Sequence, residues 1–285
     1  MRLADIHILH QSDFYRVVDF QCHCNFCSIS NLEYNNSFSI SFIRKGFFEY
    51  QTFKRKDEIH VGRVLISKPG FEHTTRHIDN QPDIVTIFDF KQTFFKENIL
   101  EVYGSKLPWV LLNNDIHAIM VKTSPEMEYL HHHIFQKISS GNYNSLEIDE
   151  RVITIVEKVM TVLGSMEVPE LIPDKLKQNH LNTIEAARDF ILNNFKENIS
   201  LQQLANHCYV SPFHFSRIFK AILNISPHQY LSSVRLAHAK VLLTETLAPV
   251  ADIAYDCGFN SPEHFVTAFK QYYKINPSAL RKQIV

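Results

Sequence analysis

Ser211 to Pro227 reads SPFHFSRIFKAILNISP, and Ser261 to Pro277 reads SPEHFVTAFKQYYKINP. At an offset of 50, eight of the 17 positions agree: Ser211, Pro212, His214, Phe215, Phe219, Lys220, Ile225 and Pro227 recur in the second copy. A period in this range marks a duplicated supersecondary unit. Each copy opens on Ser-Pro, a helix N-cap followed by proline at the first helical position. Phe215, Ile218, Phe219 and Ile222 then follow helical spacing, as do Phe265, Ala268 and Phe269, so each helix has one stripe to bury.

The surroundings extend the pattern. Leu201 to Cys208 and Val250 to Asp256 are short helical runs just before the two copies. They give two units of short helix, tight turn and second helix, 201–223 and 250–272. This is the helix-turn-helix pattern, in which the second helix enters the major groove. Ser226-Pro227 opens a long helix to about Thr244, roughly 27 Å at 1.5 Å per residue. It is a strut suited to neighbouring groove segments, which recur about every 34 Å. A helix from Thr183 to about Phe195 and one from Pro277 to the end complete seven.

The unburied faces hold Phe213, Ser216, Arg217 and Lys220 in one copy and Glu263, Val266, Thr267 and Lys270 in the other. Arg217 has the fork that matches guanine O6 and N7, and Ser216 can donate or accept at a base edge. Phe213 and Val266 offer apolar surface to a thymine methyl, and Glu263 can accept from the cytosine amino group. Lys220 and Lys270 suit phosphates, which position without specifying. Any one of these alone would read as a solvated helix face. It is the duplication that favours DNA.

The stretches LANHCYVSPFHFSRIFKAILNISPHQYL (204–231) and VADIAYDCGFNSPEHFVTAFKQYYKINPSALR (250–281) resemble the DNA-binding domain of the AraC/XylS family of bacterial transcription regulators. The resemblance covers the last hundred residues or so. It implies that Phe213, Ser216, Arg217, Glu263, His264, Val266 and Thr267 occupy base-reading positions. It also implies a double-stranded DNA partner and, for an activator, RNA polymerase. The sequence departs from the family at Tyr209, Asn224 and Lys274, where the family usually has glycine. Gly258 keeps the glycine of the second turn. The stretch GRVLISKPGFEH (62–73) is loosely similar to a strand-turn of the family's cupin-like sensor domain, which implies a small-molecule effector pocket inside a barrel.

With 285 residues the chain is long enough for two domains. Net charge is −1, but Ser211 onward carries eight Lys/Arg against four Asp/Glu, leaving +4 there and −5 on the rest. That asymmetry points to a polyanion partner for the C-terminal part. No apolar run has the roughly 18 residues of a membrane span, and Met1 to Arg16 interleaves charge with apolar residues, unlike a signal peptide. The chain therefore reads as cytoplasmic, with no membrane partner.

Residues 1–112 read as strands: Ser37 to Phe42, Phe47 to Phe53, Ile59 to Ser67 and Ile84 to Phe90, with a loop at 54–58 and turns at 44–46 and 68–70. They suggest a small β-barrel or jelly roll. Residues 113–165 read as two helices, from Ser124-Pro125 to Ser140 and from Leu146 to Leu163. The apolar stripe of the second could cover the barrel or make a homodimer seam. Residues 166–180 read as a linker and 181–285 as the DNA-binding domain. The fold class is α+β, with a jelly roll and helices followed by an all-α domain.

Cys22, His23, Cys24 and Cys27 place soft ligands within six residues, as a metal or redox sensor would. In a strand, however, His23 opposes Cys22 and Cys24. No metal is expected, and Cys22, Cys24 and Cys27 are the candidates against that expectation. His73 and His77 could share a strand face, but the His-x-His and Glu of an iron cupin enzyme are missing. His131 to His133 fan around a helix and read as solvated, and Cys208 and Cys257 read as small core residues. No catalytic residue and no cofactor is implied. The chain reads as a transcription regulator rather than a metal-dependent cupin enzyme or a thiol or metal sensor fused to a DNA-binding module.

Overall fold

The computed structural model describes residues 4–23, 29–52, 55–78, 81–94, 99, 101–104, 107–141, 143–166 and 174–282. Cys24 and Cys27 lie outside them, as do residues 167–173 of the expected linker. The chain forms two compact units, one of Met1–Thr123 with His133–Glu185, the other of Ser124–His132 with Ala186–Val285.

The N-terminal unit is a double antiparallel sheet. Its strands are β1 (Ala4–Gln11), β2 (Tyr15–Cys22), β3 (Glu33–Asn35), β4 (Phe38–Lys45), β5 (Phe47–Thr52), β6 (Arg55–His60), β7 (Arg63–Ser67), β8 (Phe71–His77), β9 (Ile84–Phe90) and β10 (Ala118–Lys122). One sheet runs β1-β2-β9-β4-β7-β10 and the other β3-β8-β5-β6. Phe38, Ile40 and Phe42 alternate into the core as expected, while Ser41 on the other face is buried too, because β4 is central and covered on both sides.

Three readings need correction. The strand expected over Ile59 to Ser67 is two strands, since Gly62 takes a φ of +79° and turns the chain from β6 in one sheet to β7 in the other. The loop expected at 54–58 is largely β6, an edge strand whose charged residues suit a solvated sheet edge. Strand β10 lies beyond residue 112 and pairs with β7, in a stretch expected to be helical. Short helical turns α1 (Gln92–Phe94), α2 (Glu101–Tyr103) and α3 (Trp109–Leu112) precede it.

Helices α4 (Pro125–Ser140) and α5 (Ser145–Gly164) follow. Asn144 caps α5 by accepting from the Leu146 N–H. The Tyr15 hydroxyl donates to Asp149 at 2.8 Å, holding α5 to β2. The α5 stripe of Val152, Ile155, Val156, Val159, Met160 and Leu163 is fully buried within the chain, so that face is not available as a dimer seam.

The rest of the chain is helical: α6 (Asp174–Asn194), of which the C-terminal unit takes the part from Ala186 on, α7 (Leu201–His207), α8 (Pro212–Leu223), α9 (Pro227–Glu245), α10 (Val250–Asp256), α11 (Pro262–Tyr273) and α12 (Pro277–Lys282). Helix α6 begins nine residues before the expected Thr183 cap. No proline or glycine interrupts 174–194, so the helix propagates through Thr183.

The first two turns of α4 belong to this unit. Glu128 accepts from Arg188 Nε at 2.7 Å and from the Tyr230 hydroxyl, all three groups being buried. Breaking such a pair costs about 3–5 kcal/mol. The histidines of α4 are not solvated, contrary to expectation. His131 is buried, and burial, aided by the Arg188 charge, pushes His132 down to about 4. A free imidazole titrates near 6.5, so the unfolded chain binds this proton first as pH falls. Stability of the unit should therefore decline from about pH 6.5 to about pH 4 and level off below. Denaturant unfolding across that window should show the decline flattened in His132→Gln.

Two turns test the backbone. Gly258 takes a φ of +82°, and a Cβ there would lie 2.5 Å from the Lys196 carbonyl oxygen. Tyr209, at φ +57° and 96% exposed, holds a left-handed conformation in open solvent. Gly258→Ala should cost about 3 kcal/mol from strain plus overlap. Tyr209→Gly should gain about 0.5–1 kcal/mol, the relief of strain less the entropy of glycine. Urea unfolding of the two variants checks both signs.

Candidate nucleic-acid interface

The two units 201–223 and 250–272 are built by the same local bonds. Ser211 caps α8 by accepting from the His214 N–H, and Ser261 caps α11 by accepting from the His264 N–H. In the first turn the Tyr209 N–H reaches the Asn206 carbonyl and Val210 reaches Ala205; in the second, Gly258 reaches Tyr255 and Phe259 reaches Ala254. This is a Schellman closure in both cases. The second turn is one residue longer, with Asn260 inserted before the cap. Tyr209 accepts the conformation that glycine usually supplies. Asn224 and Lys274, after the second helices, do the same at φ +58° and +60°.

Below each second helix lies an aromatic core. Phe215, Ile218, Phe219 and Ile222 are buried under α8, with Phe215 and Phe219 in ring contact at 5.5 Å. Phe265 and Phe269 repeat this under α11 at the same distance. Phe219 also meets Tyr230 of α9 edge-on at 5.6 Å. These contacts fix which face of each helix is left outward.

The outward faces carry most of the expected residues. Phe213, Arg217 and Lys220 are exposed and Ser216 is half-buried; Glu263, His264, Thr267 and Lys270 are exposed. The Arg217 guanidinium sits 5.6 Å from the Phe213 ring centre, a cation–π contact that limits its wandering. Val266 is half-buried against the core of its unit, so it presents less apolar surface than the sequence suggested. The Thr267 hydroxyl donates to the Glu263 carbonyl at 2.9 Å, which commits its proton to the helix.

Not every cation of this segment is available. Arg235 donates to the carbonyls of Phe195 at 2.7 Å and Glu197 at 2.6 Å. Lys240 lies 3.4 Å from Glu126 and over the Tyr273 ring. Arg217, Lys220, Lys270, Lys274 and Lys282 remain exposed. Tyr209 was noticed in the sequence only as a missing glycine; it is a fully exposed aromatic directly before α8.

Elsewhere the expected site residues scatter. His73 stacks on Tyr50 at 4.5 Å, and burial pushes it down to about 4. His77 meets Asp83 instead. His23 faces Asp5 at 2.8 Å on the surface. Cys257 is buried and its thiol is pushed up to about 12. Cys208 is only half-buried, with its thiol pushed up to about 11, so it is less a core residue than expected. A cleft of about 310 Å³ opens on the N-terminal unit beside Tyr15, Arg16, Ser37 and Asp89.

A helix-turn-helix domain family matches residues 204–283. The regulatory protein PocR of Salmonella typhimurium is 30% identical over 105 residues, 37% of this chain and 35% of that protein. The bifunctional transcriptional activator/DNA repair enzyme AdaA of Bacillus subtilis is 32% identical over 110 residues, 39% of this chain and 52% of that protein. The chain thus spans about a third to a half of these curated relatives. Among solved structures, the DNA-binding domain of the global transcriptional factor AdpA, in complex with target DNA, is 27% identical, covering 35% of this chain and 91% of that one at a TM-score of 0.35. No helix among the described residues is long and apolar enough to cross a membrane. Two capped, aromatic-cored units of one design, joined by α9 and matched in sequence over 204–283, make this segment an AraC-type helix-turn-helix domain.

Proposed function

We propose that the chain is a sequence-specific DNA-binding transcription regulator that lays α8 and α11 in two neighbouring major-groove segments. The observation that carries this is the contrast between the copies. Caps, core and Lys220/Lys270 recur, whereas the outward positions differ: Phe213 against Glu263, Ser216 against Val266, Arg217 against Thr267. One scaffold used twice with different outward side chains suits two different base sequences. In this reading Phe213, Ser216, Arg217, Glu263, His264, Val266 and Thr267 face bases, and Lys220 and Lys270 grip phosphates. The N-terminal double sheet receives a small-molecule signal, and the protein works in the cytoplasm, as a homodimer or in contact with RNA polymerase where it activates. A metal-dependent cupin enzyme is disfavoured by the separation of His73, on Tyr50, from His77, on Asp83.

Arg217→Ala should cost about 1–3 kcal/mol on the cognate site and relax preference at one base position. Phe213→Ala should reproduce part of that loss and show little further effect in the Arg217→Ala background. Lys270→Ala should weaken cognate and random duplexes alike and lower the salt slope by about 1. Mobility-shift titrations on both duplexes at several salt concentrations read all three. Equal loss on cognate and random DNA for Arg217→Ala would remove its base-reading role.

A further inference from the structure

The proposed DNA interface uses no residue of the Cys22 to Cys27 motif, and the fold takes Cys22 away from its sequence neighbour. Cys22 is buried at the end of β2, while His23 turns outward to Asp5. The groups that meet Cys22 come from the rest of the double sheet: His77 at the end of β8, and Asp83 just before β9. One ligand atom from each of Cys22, His77 and Asp83 lies within 4.8 Å of the others. Among the described residues this is the one such group of three or more His, Cys, Asp and Glu side chains.

We propose that Cys22, His77 and Asp83 form a binding site for a borderline-soft divalent cation, Zn²⁺ being the ion that fits. The donor set is sulfur, imidazole nitrogen and carboxylate oxygen, all of them zinc ligands. With tetrahedral bonds of about 2.0–2.3 Å the three ligand atoms would stand about 3.4–3.6 Å apart. The His77 Nε2 to Asp83 Oδ1 contact, 2.5 Å, would open by roughly 1 Å, and the thiol would close by no more than a comparable amount. The ion would take the place of the hydrogen bond between His77 and Asp83, and Cys22 would release its thiol proton. Three protein ligands leave the fourth tetrahedral position for water or an incoming group.

The scaffold around the group is fixed. The Cys22 N–H donates to the Asp83 carbonyl at 2.9 Å. Gly46, at φ +101°, lets Asp83 approach so closely that a Cβ at Gly46 would lie 2.7 Å from the Asp83 Cα. His77 is paired with Phe48 in the sheet, and the next N–H, of Ile78, donates to Phe47 at 3.0 Å. Cys22 and the side chains of His77 and Asp83 are each less than a tenth exposed, so competition from water is weak. The competing account is a plain His–Asp ion pair beside a buried thiol. The proposal does not rest on the regulator reading, since binding is measured without DNA.

The test uses the full chain, stripped of metal by a chelator and titrated with Zn²⁺ against a chromophoric competitor. The expected result is one tightly held Zn²⁺ per chain, weakened on the order of 100-fold or more by Cys22→Ser or His77→Gln and unchanged by His23→Gln. Co²⁺ in the same site should give a thiolate-to-metal charge-transfer band that Cys22→Ser abolishes while circular dichroism stays native. Zn²⁺ should also raise the melting temperature of the unmutated chain. Absence of the thiolate band in the unmutated chain overturns the proposal even if the variants fail to fold. So does undiminished Zn²⁺ affinity in folded Cys22→Ser.

Discussion

Arg235 fixes the geometry on which the two helix-turn-helix units depend. It projects from α9 and donates to the carbonyls of Phe195 and Glu197, just past the end of α6. A cation there satisfies carbonyls that the helix end cannot, and it meets the negative end of the helix dipole. The same guanidinium lies 6.0 Å from the Phe259 ring, at the turn of the second unit. Lys196, between the two bonded carbonyls, is the residue whose oxygen leaves no room for a Cβ at Gly258. One side chain thus ties the strut to the helix before the first unit and to the turn inside the second. A glycine in that turn follows from crowding, and a tyrosine is tolerated in the first because nothing presses on it there.

The C-terminal helices were legible because their signals are local. Ser200, Ser211, Ser226 and Ser261 each accept from a backbone N–H within three residues, and each is followed by the residue types that such a cap requires. The stripes of Phe and Ile come from the same few turns. What could not be read depends on partners far along the chain. Gly62 sits within an apolar run that looks like one strand, and only pairing with β5 on one side and with β4 and β10 on the other divides it. His131 to His133 look like a polar face, but His131 is buried and His132 sits by the Arg188 charge, more than fifty residues away. The grouping of Cys22 with His77 and Asp83 needs the register of two sheets, and no spacing within the cysteine motif announces it.

The interface shows the same divide. Exposure of Phe213, Arg217, Glu263 and Lys270 follows from the helical phase of the buried phenylalanines, so sequence suffices to find it. Availability does not follow from phase. Val266 has the right phase but leans on its own core, and Arg235 and Lys240 are basic residues already committed to carbonyls, a carboxylate and an aromatic ring. Counting charges from Ser211 onward therefore overstates what the segment can offer to phosphate.

That shortage of spare cations bears on why the unit is doubled. Each phosphate contact contributes a counterion-release term that salt erodes steeply. A single unit, with Lys220 or with Lys270 and Lys274, would have few such contacts to offer. On the proposed function, joining two units by a stiff helix would make the second engagement intramolecular, so its cost would be set by geometry rather than by concentration. For that gain the strut has to keep its length and orientation while the outward faces vary. Arg235, the Schellman closures and the phenylalanine pairs serve the first requirement through backbone carbonyls and the core. The positions that differ between the copies are free to serve the second.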